Sequence, residues 1–452
     1  DFYSLTMLSW LTLSTLAIGL IEATIQNCNG GNDNVTKLAG YTEGGANPPL
    51  PKMNAGYIEV NASANGSLFY WLVQSMAERV DSSTPFLIWL NGGPGSSSLT
   101  GMFSENGPFR IKAGTKELEF FNYTWSTYYH VLFVDNPIDT GFSFCNKGQQ
   151  VQTEDQMGEN FLRLMQGFYK CHPEYAKNPL YITGESYAGR YIPFIWKWLT
   201  NGGIKVAGLA IGNGIYDPFI QFYSSPFYAY VNGIIDYQDY VAVNATVAAC
   251  LDLAVVGAQT NDRNILNDAA NICLDATNGV YEDYGGNVFQ YDIRENNGSA
   301  FDGITDDLAN YLNQSSVGED IHTYGIPWKS SDGTSSPNPV AEVLNYDIVL
   351  NNSASIIPEA LRNGTRILFY NGQFDGSVCN NYGNQQCLRQ LNYKGEWNDL
   401  KRNAYFLDDL CIGYVKESSD KMLTYFVVAD SGHLVPYNQP KNILDVIHNW
   451  VG

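Results

Sequence analysis

Six short apolar runs each end in a turn-rich segment, and that repeated unit restricts the chain to few folds. Pro85–Leu90 leads into Asn91-Gly92-Gly93-Pro94-Gly95, His130–Val134 into Asp135-Asn136-Pro137, and Pro179–Thr183 into Gly184-Glu185-Ser186-Tyr187-Ala188-Gly189. Val206–Ile211 leads into Gly212-Asn213-Gly214, Arg366–Tyr370 into Asn371-Gly372-Gln373-Phe374-Asp375, and Leu423–Val428 into Ala429-Asp430-Ser431-Gly432-His433. Near-continuous apolar runs of this length fit strands buried on both faces. Between them, Glu154–Tyr169 has helical spacing in Met157, Phe161, Leu162, Leu164, Met165 and Phe168, and Pro440–Val451 reads as a closing amphipathic helix. Strands alternating with helices predict an α/β fold: a mainly parallel sheet covered on both faces, with its working loops at the carboxyl edge. Ahead of these, Ala55–Asn61 and Ser67–Gln74 are expected to pair antiparallel around Ala64-Asn65-Gly66.

From about Pro218 to Pro339 the texture changes. Asp, Asn, Tyr and Gly dominate, and long apolar runs vanish. The segment reads as an insertion that caps the sheet rather than extending it. The expected organisation is a signal peptide over 1–23, a first core part over 24–217, the cap over 218–339 and a second core part over 340–452, which a chain of 452 residues can supply. Leu8 to Leu20 reads as the apolar region of a secretory leader starting at Met7, with Ala23 before the cleavage point, although no positive charge precedes it. The rival reading is an uncleaved anchor, for which the run is short. No other stretch reads as a bilayer span.

A formal net charge of −21 argues against nucleic acid as a partner. It also suits an acidic compartment, where protonated carboxylates repel less. Eight cysteines fit an oxidising route. The expected pairs are Cys250 with Cys273, Cys145 with Cys171, and Cys387 with Cys411, which leaves Cys28 and Cys379 over. No Cys-x-x-Cys or His-rich cluster suggests zinc, and neither metal nor cofactor is expected. Sequons at Asn34, Asn61, Asn65, Asn122, Asn244, Asn297, Asn313, Asn351 and Asn363 are candidate glycosylation sites. Leader and sequons together point to the secretory pathway, with a lysosome, a vacuole or the exterior as destination.

Three of the strand ends present Ser186, Asp375 and His433, in that order. A serine hydroxyl needs an imidazole to take its proton and a carboxylate to orient the imidazole. A serine on a strand-turn-helix junction is held on a strained turn with its hydroxyl projecting, and nucleophile, acid, histidine is the chain order of the α/β-hydrolases. The usual Gly-x-Ser-x-Gly ends here in Ala188, with Gly189 behind it. Of the five histidines, only His433 follows a strand in a glycine-containing loop. Taken alone, Asp375, Asp135 and Asp430 also read as Asx-turn residues. The N–H groups of Gly93 and Tyr187 are candidate donors to a tetrahedral oxyanion, where one donor is worth ~3 kcal/mol.

Trp89-Leu90-Asn91-Gly92-Gly93-Pro94-Gly95, Gly184–Gly189, and Gly432-His433 followed by Val435-Pro436 resemble the serine carboxypeptidases, a likeness that runs from about Cys28 to the C-terminus. The resemblance implies an α/β-hydrolase fold with a helical cap, and release of C-terminal amino acids from peptides and proteins at acidic pH through an acyl-enzyme. It implies Ser186 as nucleophile, His433 as general base, Asp375 as its orienting acid, and Gly93 and Tyr187 as the oxyanion hole. It also implies that Asn91, Gly92, Glu105 and Glu185 grip the substrate's terminal carboxylate. Two facing carboxyls cannot both ionise cheaply, so one stays protonated and can donate to that carboxylate.

Some positions depart from the family pattern. Ser96 stands where the family usually has a cysteine, often bonded to the insertion, so the cap is tethered differently here. Asn438 stands where many members have aspartate. Cys379 matches a cysteine that is often a free thiol in relatives, which makes mercurial sensitivity an expectation. The expected partners are peptide or protein C-termini, with no nucleic acid, no stable membrane span after leader cleavage, and a homodimer left open. An esterase or acyltransferase of the same kind, and a secreted or lysosomal protective binding glycoprotein, are the alternative functions.

Overall fold

The computed structural model describes residues 27–296, 300–329, 339–350 and 353–452. The leader over 1–23 and the sequons at Asn297 and Asn351 lie outside the described residues. The strands, in chain order, are β1 (Asn34–Val35), β2 (Met53–Asn61), β3 (Gly66–Val73), β4 (Phe86–Leu90), β5 (Phe109–Ile111), β6 (Leu118–Phe120) and β7 (His130–Val134). They continue as β8 (Leu180–Glu185), β9 (Gly208–Gly212), β10 (Arg366–Gly372), β11 (Asn403–Leu407), β12 (Leu410–Glu417) and β13 (Leu423–Val428). Among the described residues, eleven of them form one sheet in the order β1-β2-β3-β7-β4-β8-β9-β10-β13-β12-β11, and β5 and β6 make a separate hairpin.

The six apolar runs are the middle of that sheet. The strands β7, β4, β8, β9, β10 and β13 run parallel, while β1 to β3 on one side and β12 and β11 on the other are antiparallel. Period-two alternation divides each strand between two cores. In β4, Phe86, Ile88 and Leu90 join Phe161, Leu164 and Phe168 of the helix Glu154–Cys171 on one face. Leu87 and Trp89 join Ile443 and Ile447 of the helix Pro440–Val451 on the other. This is the α/β-hydrolase architecture, a large mixed sheet between helical layers.

Parallel pairing also aligns the carboxyl ends. Leu90 lies beside Gly184, Glu185 beside Gly212, and Gly372 beside Val428, so the loops after these strands open on one edge. The chain between β9 and β10 carries the helices Pro218–Val231, Tyr237–Thr260, Arg263–Gly279, Ala300–Leu312 and Ser315–Asp320, and its residues 290–293 bond the loops after β10 and β13 on that edge. Asp236 and Asp262 accept from the first backbone N–H groups of two of them and fix where they start. The sequence reading finds no bilayer span beyond the leader, and this needs correcting. By length and composition the helix Tyr237–Thr260 is apolar enough to cross a membrane. In the fold it buries Val243, Val247, Cys250, Leu251 and Ala254 and exposes Tyr237, Val241, Val255 and Val256.

The cysteine pairs differ from expectation in two of three cases. Cys250–Cys273 forms, but Cys171 bonds Cys28 rather than Cys145, and Cys145, Cys379, Cys387 and Cys411 are free. Cys171 ends the helix Glu154–Cys171 where the turn Asn27–Gly31 meets it, and proximity along the chain does not reveal that meeting. Cys387 packs in the core, while Cys411 stands on β12, one strand in from the sheet edge. The Cys28–Cys171 bond closes a separation of 143 residues. Chain entropy alone makes such a link worth ~5 kcal/mol, so Cys28→Ser is expected to lower the unfolding free energy by ~3–5 kcal/mol in urea titrations.

Candidate active site

Ser186 sits between β8 and the helix Ala188–Asn201 at φ +62°, a left-handed conformation that costs a serine ~1–3 kcal/mol. Backbone bonds hold it there. Its N–H donates to Gly212 O at 3.0 Å, and its carbonyl accepts from Gly189 N at 2.9 Å and Ile215 N at 3.1 Å. Glycine is required on both sides. A β-carbon on Gly184 would lie 2.9 Å from Ala188 Cβ, and one on Gly189 would lie 2.7 Å from Ile215 O.

Ser186 and His433 line one cleft together with Asn91, Gly92, Gly93 and Glu185. Behind the imidazole, Asp375 is fully buried, and His433 Nδ1 lies 2.8 Å from its Oδ2. Asn213 Nδ2 donates to the same oxygen at 2.6 Å, and Ser377 N and Oγ donate to Oδ1 at 2.9 and 2.6 Å. These donors fix the carboxylate plane, and the carboxylate fixes the ring. With Nδ1 engaged, Nε2 is the nitrogen left to exchange a proton with a substrate or a nucleophile. Of the three strand-end aspartates, only Asp375 meets the histidine. Asp135 accepts from Ser97 Oγ, Ser98 N and Phe142 N, and Asp430 is exposed.

The glycine-rich loop after β4 lies directly on the serine turn. A β-carbon on Gly92 would fall on Tyr187 N and come within 2.8 Å of Ser186 Cβ and 2.9 Å of Glu185 O. Gly93 has φ +107°, which a side chain would strain. The backbone N–H groups of Gly93 and Tyr187 thus belong to two loops in van der Waals contact beside the serine. Gly92→Ala should pry these loops apart. Its kcat/KM is expected to fall about 100-fold or more in steady-state assays, the effect of losing at least one oxyanion donor.

Glu105 and Glu185 are both buried, and Asn91 joins them. Asn91 Oδ1 accepts from Trp89 Nε1 at 2.8 Å and Gly101 N at 3.1 Å, which turns Nδ2 toward the carboxyls. Nδ2 donates to Glu105 Oε1 at 3.1 Å and Glu185 Oε1 at 3.0 Å. The Oε2 atoms have no fixed donor, yet the two carboxyls are within hydrogen-bond reach of each other. Such a contact holds only with a proton between them. Burial pushes both carboxyls above their ordinary range, and the Glu105 charge pushes Glu185 further. Read alone, Glu105 would be a solvated turn residue, and the sequence carries no local sign of its burial.

The chain between β9 and β10 supplies a part that sequence reasoning misses. A turn closed by the Val288–Asn296 bridge touches both catalytic-edge loops. His433 N donates to Tyr291 O at 2.7 Å, Gly376 N to Gln290 O at 2.9 Å, and Ile293 N to Phe374 O at 3.0 Å. Phe289 and Tyr291 line the cleft from this turn, as does Tyr437 from the other side. Ser96 offers no disulfide to this segment, and among the described residues Tyr281 OH donates to Gly376 O at 2.5 Å and Trp328 Nε1 to Ser97 Oγ at 2.9 Å. Thr100 lines the cleft from the short helix Ser98–Ser104. Asn438 accepts from Gly432 N at 2.9 Å and so braces the histidine loop. Cys379 is buried and free, and burial with the nearby Asp375 charge pushes its thiol well up, so reaction with a mercurial should be slow.

The family model for serine carboxypeptidases matches residues 44–452. The vitellogenic carboxypeptidase of Aedes aegypti is 33% identical over 408 residues, covering 88% of this chain and 82% of that protein. The pheromone-processing carboxypeptidase kex1 of Aspergillus fumigatus is 30% identical over 468 residues, covering 98% and 71%. The crystal structure of a prohormone-processing carboxypeptidase, Kex1, from Saccharomyces cerevisiae superposes with a TM-score of 0.76 at 24% identity, over 88% of this chain and 92% of that one.

Proposed function

This chain belongs to the serine carboxypeptidase family, and we propose that it cuts the last peptide bond of its substrates with Ser186, His433 and Asp375. It is a serine-type carboxypeptidase acting on peptide and protein C-termini. In the proposed mechanism, His433 Nε2 takes the Ser186 Oγ proton as Oγ attacks the carbonyl carbon. The Gly93 and Tyr187 N–H groups stabilise the oxyanion. His433 then gives its proton to the departing amine, and the free amino acid leaves. Water, deprotonated by the same nitrogen, attacks the acyl-enzyme and restores the serine. Asp375 keeps the ring in the working tautomer throughout.

The observation that carries the exopeptidase reading is the buried Glu105–Glu185 pair beside the serine. Asn91 and a protonated carboxyl present N–H and O–H donors to a substrate carboxylate, with Gly92 shaping the floor of the grip. An endopeptidase or esterase has no use for such a group. The test compares a blocked dipeptide with its C-terminal amide and ester across pH, for wild type and Ser186→Ala. Acid-favoured release of free amino acid by wild type alone supports the reading; cleavage of ester without peptide overturns it.

We place the protein in the secretory pathway, with an acidic lysosome or vacuole ahead of the exterior. The pairs Cys28–Cys171 and Cys250–Cys273 support an oxidising route, and the proton-holding carboxyl pair supports an acidic end point. Exposed Asn34, Asn122 and Asn363 are the favoured glycan carriers, followed by half-buried Asn61, Asn65 and Asn244. Asn313 is the least favoured, because its amide bonds Ala309 O and Trp328 O and accepts from Trp328 N.

A further inference from the structure

A second buried polar cluster lies under the serine turn, and the mechanism above makes no use of it. Glu154 opens the helix Glu154–Cys171 and is 1% exposed. Tyr187 OH donates to its Oε1 at 3.1 Å, and its Oε2 is buried with no partner. The Tyr187 ring meets the Tyr191 ring edge-on at 5.1 Å, and Tyr191 OH accepts from Gly95 N at 3.1 Å. One face of the helix Ala188–Asn201 and its cap thus supports both halves of the oxyanion hole. Tyr187 carries one donor on its own backbone, and Tyr191 holds the loop that carries Gly93.

We propose that Glu154 is a positioning residue for the oxyanion hole, acting through the Tyr187 side chain, and that it does so only as the neutral acid. The inference rests on Tyr187 N–H being an oxyanion donor. The charged groups around Glu154 explain the second clause. Arg190 Nε and Nη2 donate to Asp347 Oδ2 at 2.8 and 2.6 Å, so that cation is already matched by an anion. An ionised Glu154 would be a second buried anion facing one guanidinium, with Asp155 adding to the repulsion and the phenols of Tyr187, Tyr191 and Tyr346 the other titratable groups at hand. Burial first, and the Asp347 charge next, push the Glu154 carboxyl up to about 8. Throughout the acid range it is therefore uncharged. Above that range an anion would pull the Tyr187 hydroxyl toward itself and disturb the turn that bears the serine.

The test uses a blocked amino-acid ester, which needs no carboxylate grip, so ionisation of Glu105 and Glu185 does not enter its pH profile. Glu154→Leu is expected to lower kcat about tenfold at pH 5 with KM within twofold, since only a transition-state contact is disturbed. Tyr187→Phe, which keeps the ring, is expected to do the same and serves if the leucine variant fails to fold. Glu154→Gln should restore most of the lost kcat. Wild-type kcat should fall above pH 8, and that fall should be absent with glutamine. Unchanged kcat in Glu154→Leu and Tyr187→Phe, equal loss with glutamine and leucine, or an alkaline fall that persists with glutamine would each overturn the proposal. Activity of Ser186→Ala, by contrast, would overturn the triad assignment and not this one.

Discussion

Ser186→Ala is expected to lower kcat about a millionfold while leaving the folded structure and product binding in place. The size follows from the division of labour at the site. In the proposed mechanism the hydroxyl forms the acyl bond, and His433 serves that one oxygen. Removing Oγ relieves the side chain but not the backbone, because the φ of +62° is held by Gly212 O, Gly189 N and Ile215 N. The turn should keep its shape and the oxyanion donors their place. Some rate above water remains for that reason, on the order of a thousandfold. His433→Ala should cost nearly as much. The double variant should be no worse than either single one, since each removes the same concerted step. Asp375→Asn should fall less in kcat, by about ten thousandfold, because it leaves the ring in place in the wrong tautomer. Circular dichroism and thermal melts of each variant separate lost chemistry from lost fold.

The second large effect is the pH dependence of peptide cleavage and its transfer to the two glutamates. Glu105 and Glu185 hold a shared proton above the ordinary carboxylate range. In the proposed grip, the pair would donate to the substrate carboxylate below that apparent pKa. Above it, the pair would be anionic and repel the same group. Peptide kcat/KM should therefore fall tenfold per pH unit on the alkaline side, chiefly through KM, while ester cleavage stays level until the fall expected above pH 8 from Glu154. Replacing both residues by glutamine keeps amide donors toward the substrate and removes the charge. That variant should show a flat peptide profile from pH 5 to 8 and exceed wild type at the upper end, by about tenfold or more.

Stability moves in the same direction. A carboxyl whose folded pKa is raised binds a proton that the unfolded chain releases from about pH 4.5 upward. Stability is thus greatest at acid pH and is lost as pH rises through the folded value. Asp135, pushed by burial to about 6, and Glu154, pushed to about 8, act with the pair. Melting temperature should fall between pH 5 and 8, and the double glutamine variant should fall less.

What the sequence makes legible is the part fixed by backbone demands. Each parallel strand shows as an apolar run because both its faces are buried, and each site loop shows as a glycine cluster because loops there nearly touch. Ser186, Asp375 and His433 stand out for the same reason, as the chemical groups at the ends of such runs. The antiparallel pair β11–β12 had a signal that the reading passed over. Asp408-Asp409 joins two strand-like runs, and both residues have positive φ, +49° and +64°, as a two-residue hairpin turn requires. Other features have no local signature. The Cys28–Cys171 bond, the burial of Glu105, the Glu154–Tyr187 contact and the clasp of Val288–Asn296 on the histidine loop all depend on distant segments meeting. A single chain without pattern at those points gives nothing to read.

The most direct test of the central claim is peptide mass spectrometry after reaction with a fluorophosphonate, an electrophile that needs an activated serine. The account predicts one adduct per chain, on the peptide containing Ser186, with peptidase loss proportional to labelling and no adduct in His433→Ala. Complete inactivation with the label on another residue, or turnover of a blocked dipeptide by Ser186→Ala, would contradict it.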